Sequence, residues 1–430
     1  MESMKSEWGR RDVFRAAMLA VPAFAVAQTM MPGRASATTI DPSCEVPADP
    51  VPTPAPEAPA SATGAYGPAG SHWPARTPEP GDAFDLVVEV EPNWWTIQNA
   101  IADAIQQQPQ GKIKIAVKPG VFDYGYGAGS TDYGVLHGIN AGGRTWRVLV
   151  VPRDGWGTVT ASGTIAQASS RGYAFVSVSG ISVVGFDFSG QAVLVRDAQD
   201  FALAWSTVGQ LNITANNANT SGVEFVECVL PNQVDDDTDR MAFRIANNYS
   251  IDGVSLLGCY VAPAYKAAGS SSHCDTFQAS RSSGSGGIRN LRFEDSVFFQ
   301  SSSQVLMMER TSGVSLAHSA FIGGLRGTGR YPIGAGRHVM TAQNTLWGKT
   351  TDPVTNATAS DSFIAGSIRG WNFASASNTV VSHTPPTPAS GEFTVDDAYA
   401  AADQPLPQGW YDANCPMPDA ARLATIWAAL

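Results

Sequence analysis

Two carboxylates, Asp275 and Glu309, lie in related short segments and have the chemistry of a glycosidase pair. Asp275 belongs to HCDTFQ at 273–278, and Glu309 to VLMMER at 305–310. If the two segments form adjacent strands, the carboxyl groups lie roughly 5–10 Å apart, which includes the retaining and the inverting geometry of glycoside hydrolysis. One carboxyl would protonate the leaving oxygen while the other attacks the sugar or activates water. His273 is a further base, or it orients Asp275; ordinary solvated side chains are the alternative.

Four other polar side chains are candidates for contact with a substrate. Arg240 and Arg244 have the fork geometry that holds a carboxylate or sulfate. Gln278 and Arg310 lie close in sequence to the two carboxylates. The acidic run at 235–239 is an alternative partner for the two arginines.

That acidic run is also a candidate calcium site, because hard cations collect carboxylate oxygens. Its ligands would be Asp235, Asp237 and Asp239. The run lacks the glycine and the terminal glutamate of an EF-hand loop, so a solvated loop is the alternative. Calcium is the one cofactor that the sequence suggests.

An internal repeat predicts how these side chains come together. Strong copies of one alternating apolar pattern begin at Val223, Val254, Leu291 and Val314, and weaker copies begin at Ile181, Phe201 and Met340. A period of about twenty to forty residues is typical of a solenoid, and the alternation indicates strands. A second short strand precedes these copies, at 192–196, 241–245, 274–278 and 305–309.

We therefore predict an all-β fold, a right-handed parallel β-helix (solenoid) with an N-terminal capping helix at 95–105. Residues that face solvent at equivalent places in successive turns stack into columns. The predicted column contains Arg196, Arg244, His273, Asp275, Gln278, Glu309 and Arg310. Long loops near 234–240, 262–272 and 280–287 would wall a groove beside it.

The flanks of the chain predict export. Residues 1–37 contain Arg10 and Arg11 before an apolar run and a small-x-small site, which resembles a twin-arginine signal peptide. Residues 38–82 are rich in Pro and Ala and predict a linker. The β-helix domain follows at 83–383, and 384–430 is a tail whose short helix, 420–430, would cap the last turn. We expect a secreted protein, extracellular or periplasmic, with no membrane attachment after signal cleavage.

Composition excludes some classes of protein. The 430 residues include 43% hydrophobic residues, which excludes wholesale disorder. A net charge of −11 argues against a nucleic acid partner, which would need a basic stripe. Cys228 and Cys259 occupy the same place in consecutive copies, so they predict either a disulfide or two stacked thiols. The sequence leaves the oligomeric state open.

The stretch 273–347 resembles three turns of bacterial pectate lyases, within the pectin-lyase-like β-helix superfamily. VSLAHSAF at 314–321 is similar to a strand of that family, RYP at 330–332 to its R-x-P element, and QNTLW at 343–347 to the strand beyond. The resemblance implies that Arg330 is the base that removes a proton next to a uronate carboxylate. Ala335 stands where the family has a second arginine.

Three functions follow from these observations. The first is a polysaccharide lyase that acts by β-elimination on a uronate-containing polymer, with Arg330 as its base. The second is a glycoside hydrolase that uses Asp275 and Glu309 on the same solenoid. The third is a glycan-binding or cell-surface β-helix protein without catalysis. The predicted partner in all three is a polysaccharide.

Overall fold

A computed structural model describes residues 64–122, 135–161, 173–281, 284–340, 344–396 and 404–430. The predicted signal peptide and the linker residues 38–63 lie outside the described residues, and both stay predictions. Within the described ranges, no helix combines the length and apolar character needed to cross a membrane.

Parallel strands form three sheets, here called A, B and C, that wind around one apolar core. The strands of sheet A are Leu86–Val90, Ile113–Val117, Val148–Pro152, Ser179–Val184, Gln199–Ala204, Thr220–Val226, Ile251–Leu257, Ile288–Glu294, Thr311–Ala317, Val354–Ser360, Trp371–Val381 and Ser390–Val395. The strands of sheet B are Gly120–Phe122, Val159–Ala161, Val229–Leu230, Tyr260–Val261, Val297–Phe299, Ala320–Ile322 and Phe363–Ala365. The strands of sheet C are Val135–His137, Tyr173–Val176, Met241–Ile245, Phe277–Arg281, Leu306–Met308, Asn344–Gly348 and Ser367–Arg369. Two long strands, Asp187–Arg196 and Thr207–Ala215, pass from sheet B into sheet C.

The remaining elements lie outside the three sheets. A two-stranded antiparallel sheet joins Lys266–Ala267 to Arg337–His338. Within the ranges given above, the helices are Trp94–Gln107, Gln408–Asn414, Ala420–Ile426 and the 3-10 helix Gly324–Gly329.

The register of sheet A confirms the predicted repeat and the all-β solenoid. Val223 pairs with Val254, Val254 with Leu291, and Leu291 with Val314. Two residues further along, Phe225, Leu256, Phe293 and Leu316 form a fully buried column. Burial of such side chains, at about 1.5–3 kcal/mol each, specifies this register, because a slip by one residue would turn the column outward.

The weaker copy predicted at Met340 is wrong. After Thr311–Ala317 the next strand of sheet A is Val354–Ser360. Met340 lies instead in the long connection from sheet B to sheet C, which also holds the 3-10 helix. The apolar pattern after Met340 belongs to the sheet C strand Asn344–Gly348.

The predicted N-terminal helix is present at the first turns. Asn93 caps it, since its side-chain oxygen accepts a hydrogen bond from the Trp95 N–H at 2.9 Å. One face of the helix, with Ile97 and Ile101, is buried in the same core as the strands. The ring of Trp94 stacks on Phe122 with centroids 4.3 Å apart.

The outer face of sheet B is apolar and is covered by both ends of the described chain. Residues 64–82, here called the strap, contact it through Tyr66 and Trp73, and the two C-terminal helices pack on the same face. Trp427, just after Ala420–Ile426, packs edge-on against Trp156 of an early turn. This helix therefore covers the flank of the solenoid, and the prediction that it caps the last turn is wrong.

Cys228 and Cys259 are buried, free thiols in consecutive turns. Each sulfur donates to a backbone oxygen of the preceding turn: Cys228 Sγ lies 3.1 Å from the Leu203 oxygen, and Cys259 Sγ lies 3.3 Å from the Phe225 oxygen. The structure thus has the stacked thiols and not the disulfide.

Candidate functional site

Two buried aspartates occupy one position in consecutive turns, just before the strands of sheet C. Met241 pairs with Phe277, so Asp239 and Asp275, each two residues earlier, occupy equivalent places. The Asp275 N–H donates to Asp239 Oδ1 at 2.9 Å. In the next turn the Gln304 N–H donates to Asp275 Oδ1 at 3.0 Å. The backbone of each turn therefore fixes the carboxylate of the turn before.

Burial raises the pKa of both carboxyl groups. Asp275 has no exposed surface, and burial followed by the charge of Asp239 raises its pKa to about 7. The hydrogen bonds from Gln304 and Gln278 lower the pKa of Asp275 by a smaller amount. Burial also raises the pKa of Asp239, against the opposing effects of the Asp275 N–H and Arg244. Such a pair can hold a proton at neutral pH, as acid catalysis requires.

Polar side chains surround this carboxyl pair. Arg244 Nη2 lies 3.3 Å from Asp239 Oδ2, and 56% of the Arg244 side chain is exposed. Gln278 Nε2 donates to Asp275 Oδ2 at 3.2 Å. His273 is exposed, and it acts on the pKa of Asp239 through its charge. The structure thus brings Asp275, Arg244 and Gln278 to one place with His273 nearby, but it buries Asp275, which the sequence placed in an outward column.

Loops from successive turns form a wall on one side of the site. Asp237 accepts hydrogen bonds from the Ala267 N–H at 3.0 Å and from the Ser270 hydroxyl. The two-stranded sheet formed by Lys266–Ala267 and Arg337–His338 ties the loop at 262–272 to the connection two turns later. Long loops therefore lie next to the carboxyl pair in the connection from sheet B to sheet C. The third expected loop, near 280–287, leads from sheet C to sheet A instead.

The structure does not assemble the calcium ligand set predicted in the acidic run. Asp237 accepts hydrogen bonds from the loop at 262–272, Asp239 faces Arg244, and Asp235 lies 3.7 Å from Arg337. Because each carboxylate has a different partner, the three do not converge on one point.

Glu309 is not the partner of Asp275, so the predicted carboxylate pair is wrong. Ala279 pairs with Met308, which places Glu309 beside Ser280, five residues along the strand from Asp275. Five residues span roughly 16 Å in an extended chain. Glu309 faces outward and forms an ion pair with Lys349 of the next turn, at 2.5 Å.

Arg330 does not face the site as a free base. Only 2% of its side chain is exposed, and Arg330 Nη2 lies 2.7 Å from Asp412. Its guanidinium also covers the Tyr411 ring and donates to the Cys415 carbonyl oxygen. The prediction failed because the C-terminal tail, which sequence did not place, packs on this residue.

Two other predicted substrate contacts lie elsewhere. Arg240 is 1% exposed, and burial lowers its pKa to about 10, so it does not reach a surface groove. Arg310 is exposed at the corner between sheets C and A, where Arg310 Nε lies 2.6 Å from Asp352.

A column of mostly polar side chains runs along the outer face of sheet C. Arg196, Thr214, Arg244 and Ser280 are in register in successive turns, followed by Glu309 and Lys349. Two residues earlier along the strand, Trp347 lies over Met307 and is half-buried on the same face. This face leads to the carboxyl pair, because Gln278 projects from it toward Asp275.

Sequence reasoning missed the pairing of Asp239 with Asp275 and the backbone contact from Gln304. The signal was present, since Asp239 precedes its strand by the same two residues as Asp275 precedes its own. The acidic neighbours of Asp239 indicate a metal site instead, and they obscure this equivalence.

Comparison with known proteins gives little further information. No family model matches the chain, and no curated protein matches it. Among solved structures, the chain is similar to the A-module of the mannuronan C-5 epimerase AlgE4 from Azotobacter vinelandii, at 10% identity and a TM-score of 0.26, covering 70% of this chain and 95% of that one. It is also similar to the A-module of AlgE6 from the same organism, at 11% identity and a TM-score of 0.24, covering 73% and 95%. A third match is the surface protein and adhesin PfbA of Streptococcus pneumoniae, at 9% identity and a TM-score of 0.22, covering 70% and 96%. With TM-scores and identities this low, none of these similarities assigns a function to this chain.

Proposed function

We propose that this protein is an exported glycoside hydrolase that cuts a polysaccharide bound along the outer face of sheet C. The observation that carries the proposal is the buried pair of Asp239 and Asp275 in consecutive turns. Their strands lie about 4.8 Å apart, so the two carboxyl groups are near enough to share one proton. Burial keeps a proton on the pair, which an acid catalyst needs.

The two carboxyl groups take different roles in this proposal. Asp239 reaches the surface beside Arg244 with 6% of its side chain exposed, so it is the group that meets the glycosidic oxygen. Asp275 lies beneath it with no exposed surface and acts as a positioning residue. The charge of one carboxylate opposes ionisation of the other, so the pair retains one proton, and the Asp275 N–H orients the Asp239 carboxylate.

Exposed groups on the same face supply substrate contacts. Arg244 can bind a sugar carboxylate or hydroxyl groups, His273 can activate water, and Trp347 offers an aromatic surface for a sugar ring. From Arg196 to Lys349 the face crosses five strand spacings, about 24 Å, which accommodates an oligosaccharide.

Hydrolysis is favoured over β-elimination by the position of Arg330. An elimination routed through Arg330 needs a guanidinium that reaches the sugar, whereas this one contacts Asp412 and the Tyr411 ring. The hydrolase needs only groups that lie at the carboxyl pair.

A product assay with matched variants tests the proposal. The purified protein is incubated with acidic and neutral polysaccharides, with and without chelator, while reducing ends and the ultraviolet absorbance of unsaturated products are recorded. We expect new reducing ends without absorbance, and a loss of roughly 100-fold or more in Asp239→Asn. Asp252→Asn, on the outer face of sheet A, is the control and should keep full activity.

Three results would contradict the proposal. Unsaturated products would establish elimination, and binding of a glycan without any cleavage would establish a non-catalytic binding protein. Full activity in a folded Asp239→Asn variant would remove this carboxyl from the mechanism.

A further inference from the structure

A second cluster of titratable groups lies far from the carboxyl pair, where the strap meets the corner between sheets A and B. His72 of the strap inserts between two carboxylates of the solenoid. Its Nδ1 lies 3.0 Å from Glu227 Oε1, and its Nε2 lies 2.8 Å from Asp295 Oδ2. Only 14% of the His72 side chain is exposed, and Glu227 is fully buried.

A second imidazole and a third carboxylate complete the cluster. His318 Nδ1 contacts Oδ1 of Asp295, so one aspartate lies between two imidazoles. Ligand atoms of His72, Glu294 and Asp295 all lie within 4.8 Å of one another. Among the residues that the structure describes, no other set of three or more histidine, cysteine or acidic side chains meets this criterion.

The solenoid positions these groups through its corner. Glu227, Gly258, Asp295 and His318 each follow a sheet A strand in four consecutive turns, and all four have positive φ. Gly258 provides the space for the inserted imidazole. A Cβ at Gly258 would lie 2.7 Å from Glu227 Oε1 and 3.0 Å from His72 Nδ1.

The charges of the cluster match a divalent cation. Three carboxylates meet one arginine, Arg292, which is ion-paired with Glu294. The two remaining negative charges are neutralised either by two protonated imidazoles or by one divalent ion. Because a histidine binds a metal through a neutral ring nitrogen, the ion would take the place of a proton on His72.

We propose that this cluster is a structural metal site that binds one Zn²⁺-like ion and fastens the strap to the solenoid. His72, Glu294 and Asp295 are the ligands, and His318 Nδ1 holds the Asp295 carboxylate in place. Ligand atoms around tetrahedral zinc lie about 3.4 Å apart, given bond lengths of about 2.1 Å, so the cluster closes around an ion by small side-chain movements. Mixed imidazole and carboxylate ligands favour zinc and its neighbours in the transition series over calcium or magnesium, which prefer oxygen alone.

Metal titration of the full-length protein tests the proposal directly. Protein stripped with chelator is titrated with ZnCl₂ by calorimetry, with CaCl₂ and MgCl₂ as comparison ions, and thermal unfolding is followed in parallel. We expect one equivalent of Zn²⁺ to bind and to raise the midpoint of unfolding by roughly 3–5 °C at saturation. Ca²⁺ and Mg²⁺ should produce neither effect.

Matched variants assign the ligands. His72→Gln keeps a polar side chain between the two carboxylates and should weaken Zn²⁺ binding roughly 100-fold or more, because a ligand is lost. Glu294→Gln removes a second ligand and provides the test if the first variant does not fold. His137→Gln changes an exposed histidine outside the cluster and should bind Zn²⁺ like the wild type.

Absence of stoichiometric Zn²⁺ binding to the wild-type protein would overturn the proposal. So would Zn²⁺ binding of unchanged strength in both cluster variants, because the ion would then lie elsewhere. Neither result affects the proposed hydrolase, whose carboxyl pair lies on another sheet.

Discussion

Replacing Asp275 with Asn tests the buried carboxyl pair through the stability of the fold. Burial, and then the charge of Asp239, raise the pKa of Asp275 from 3.8 to about 7. Each pKa unit is worth about 1.4 kcal/mol, so ionising this group costs the folded protein about 4 kcal/mol. Asn keeps the shape and the oxygen that accepts the Gln304 N–H but cannot ionise.

The sign of the pH dependence follows from the direction of that pKa change. Because the folded pKa is raised, the stability that protonated Asp275 contributes is complete below 3.8 and is lost as the pH rises through about 7. Between pH 5 and pH 8 the wild type should therefore lose about 2–3 kcal/mol relative to Asp275→Asn. The free energy of unfolding of the variant therefore rises relative to that of the wild type as the pH increases.

Urea unfolding at a series of pH values measures this difference. The wild type, Asp275→Asn and the control Asp252→Asn are compared at pH 5, 6, 7 and 8, chosen to bracket a pKa of about 7. Asp252 lies on the outer face of sheet A and pairs with Arg289 at 3.5 Å, so its variant should follow the wild type. A constant difference between Asp275→Asn and the wild type across the series would refute the raised pKa.

Three further predictions concern the architecture. Phe293→Ala removes a side chain from the inward column and should lower the free energy of unfolding by about 3–5 kcal/mol, measured by urea unfolding. Arg330→Ala should expose residues 404–430 to limited proteolysis, because the buried guanidinium holds that segment through Asp412. As a comparison, Arg310→Ala at an exposed ion pair should change the free energy of unfolding by less than about 0.5 kcal/mol. Without reductant, Cys228 and Cys259 should both be alkylated in denaturant and protected in the native protein, as read by mass spectrometry; a peptide linked by both residues would contradict this.

The sequence predicted the solenoid because its signal is repeated. Val223, Val254, Leu291 and Val314 recur with the same apolar alternation, and burial of the equivalent position in every turn reinforces one register. The same reasoning placed the strand at 274–278 next to that at 305–309. The repeat alone does not give the exact register of these two short strands. Because of that register, Glu309 lies beside Ser280 and not beside Asp275.

The errors at Arg330 and at the last turn have a different physical cause. Both depend on how the flanking segments cover the solenoid, and these segments carry no repeat that would reveal their position. The end of the predicted linker shows the same limit. Its composition is that of an extended chain, yet Trp73 and His72 in residues 64–82 contact the solenoid through packing and ion pairs.

The three outer faces of the solenoid differ in how far their polar groups are already covered or paired within the protein. This difference supports sheet C as the site of chemistry. The strap and the C-terminal helices cover sheet B. On sheet A, side chains satisfy one another: Arg147 lies 2.8 Å from Asp200 and also contacts Glu224. Sheet C combines an exposed arginine with a buried pair of acids whose charge is only partly compensated. A binding face needs such incomplete compensation, because groups already satisfied within the protein gain little from a substrate.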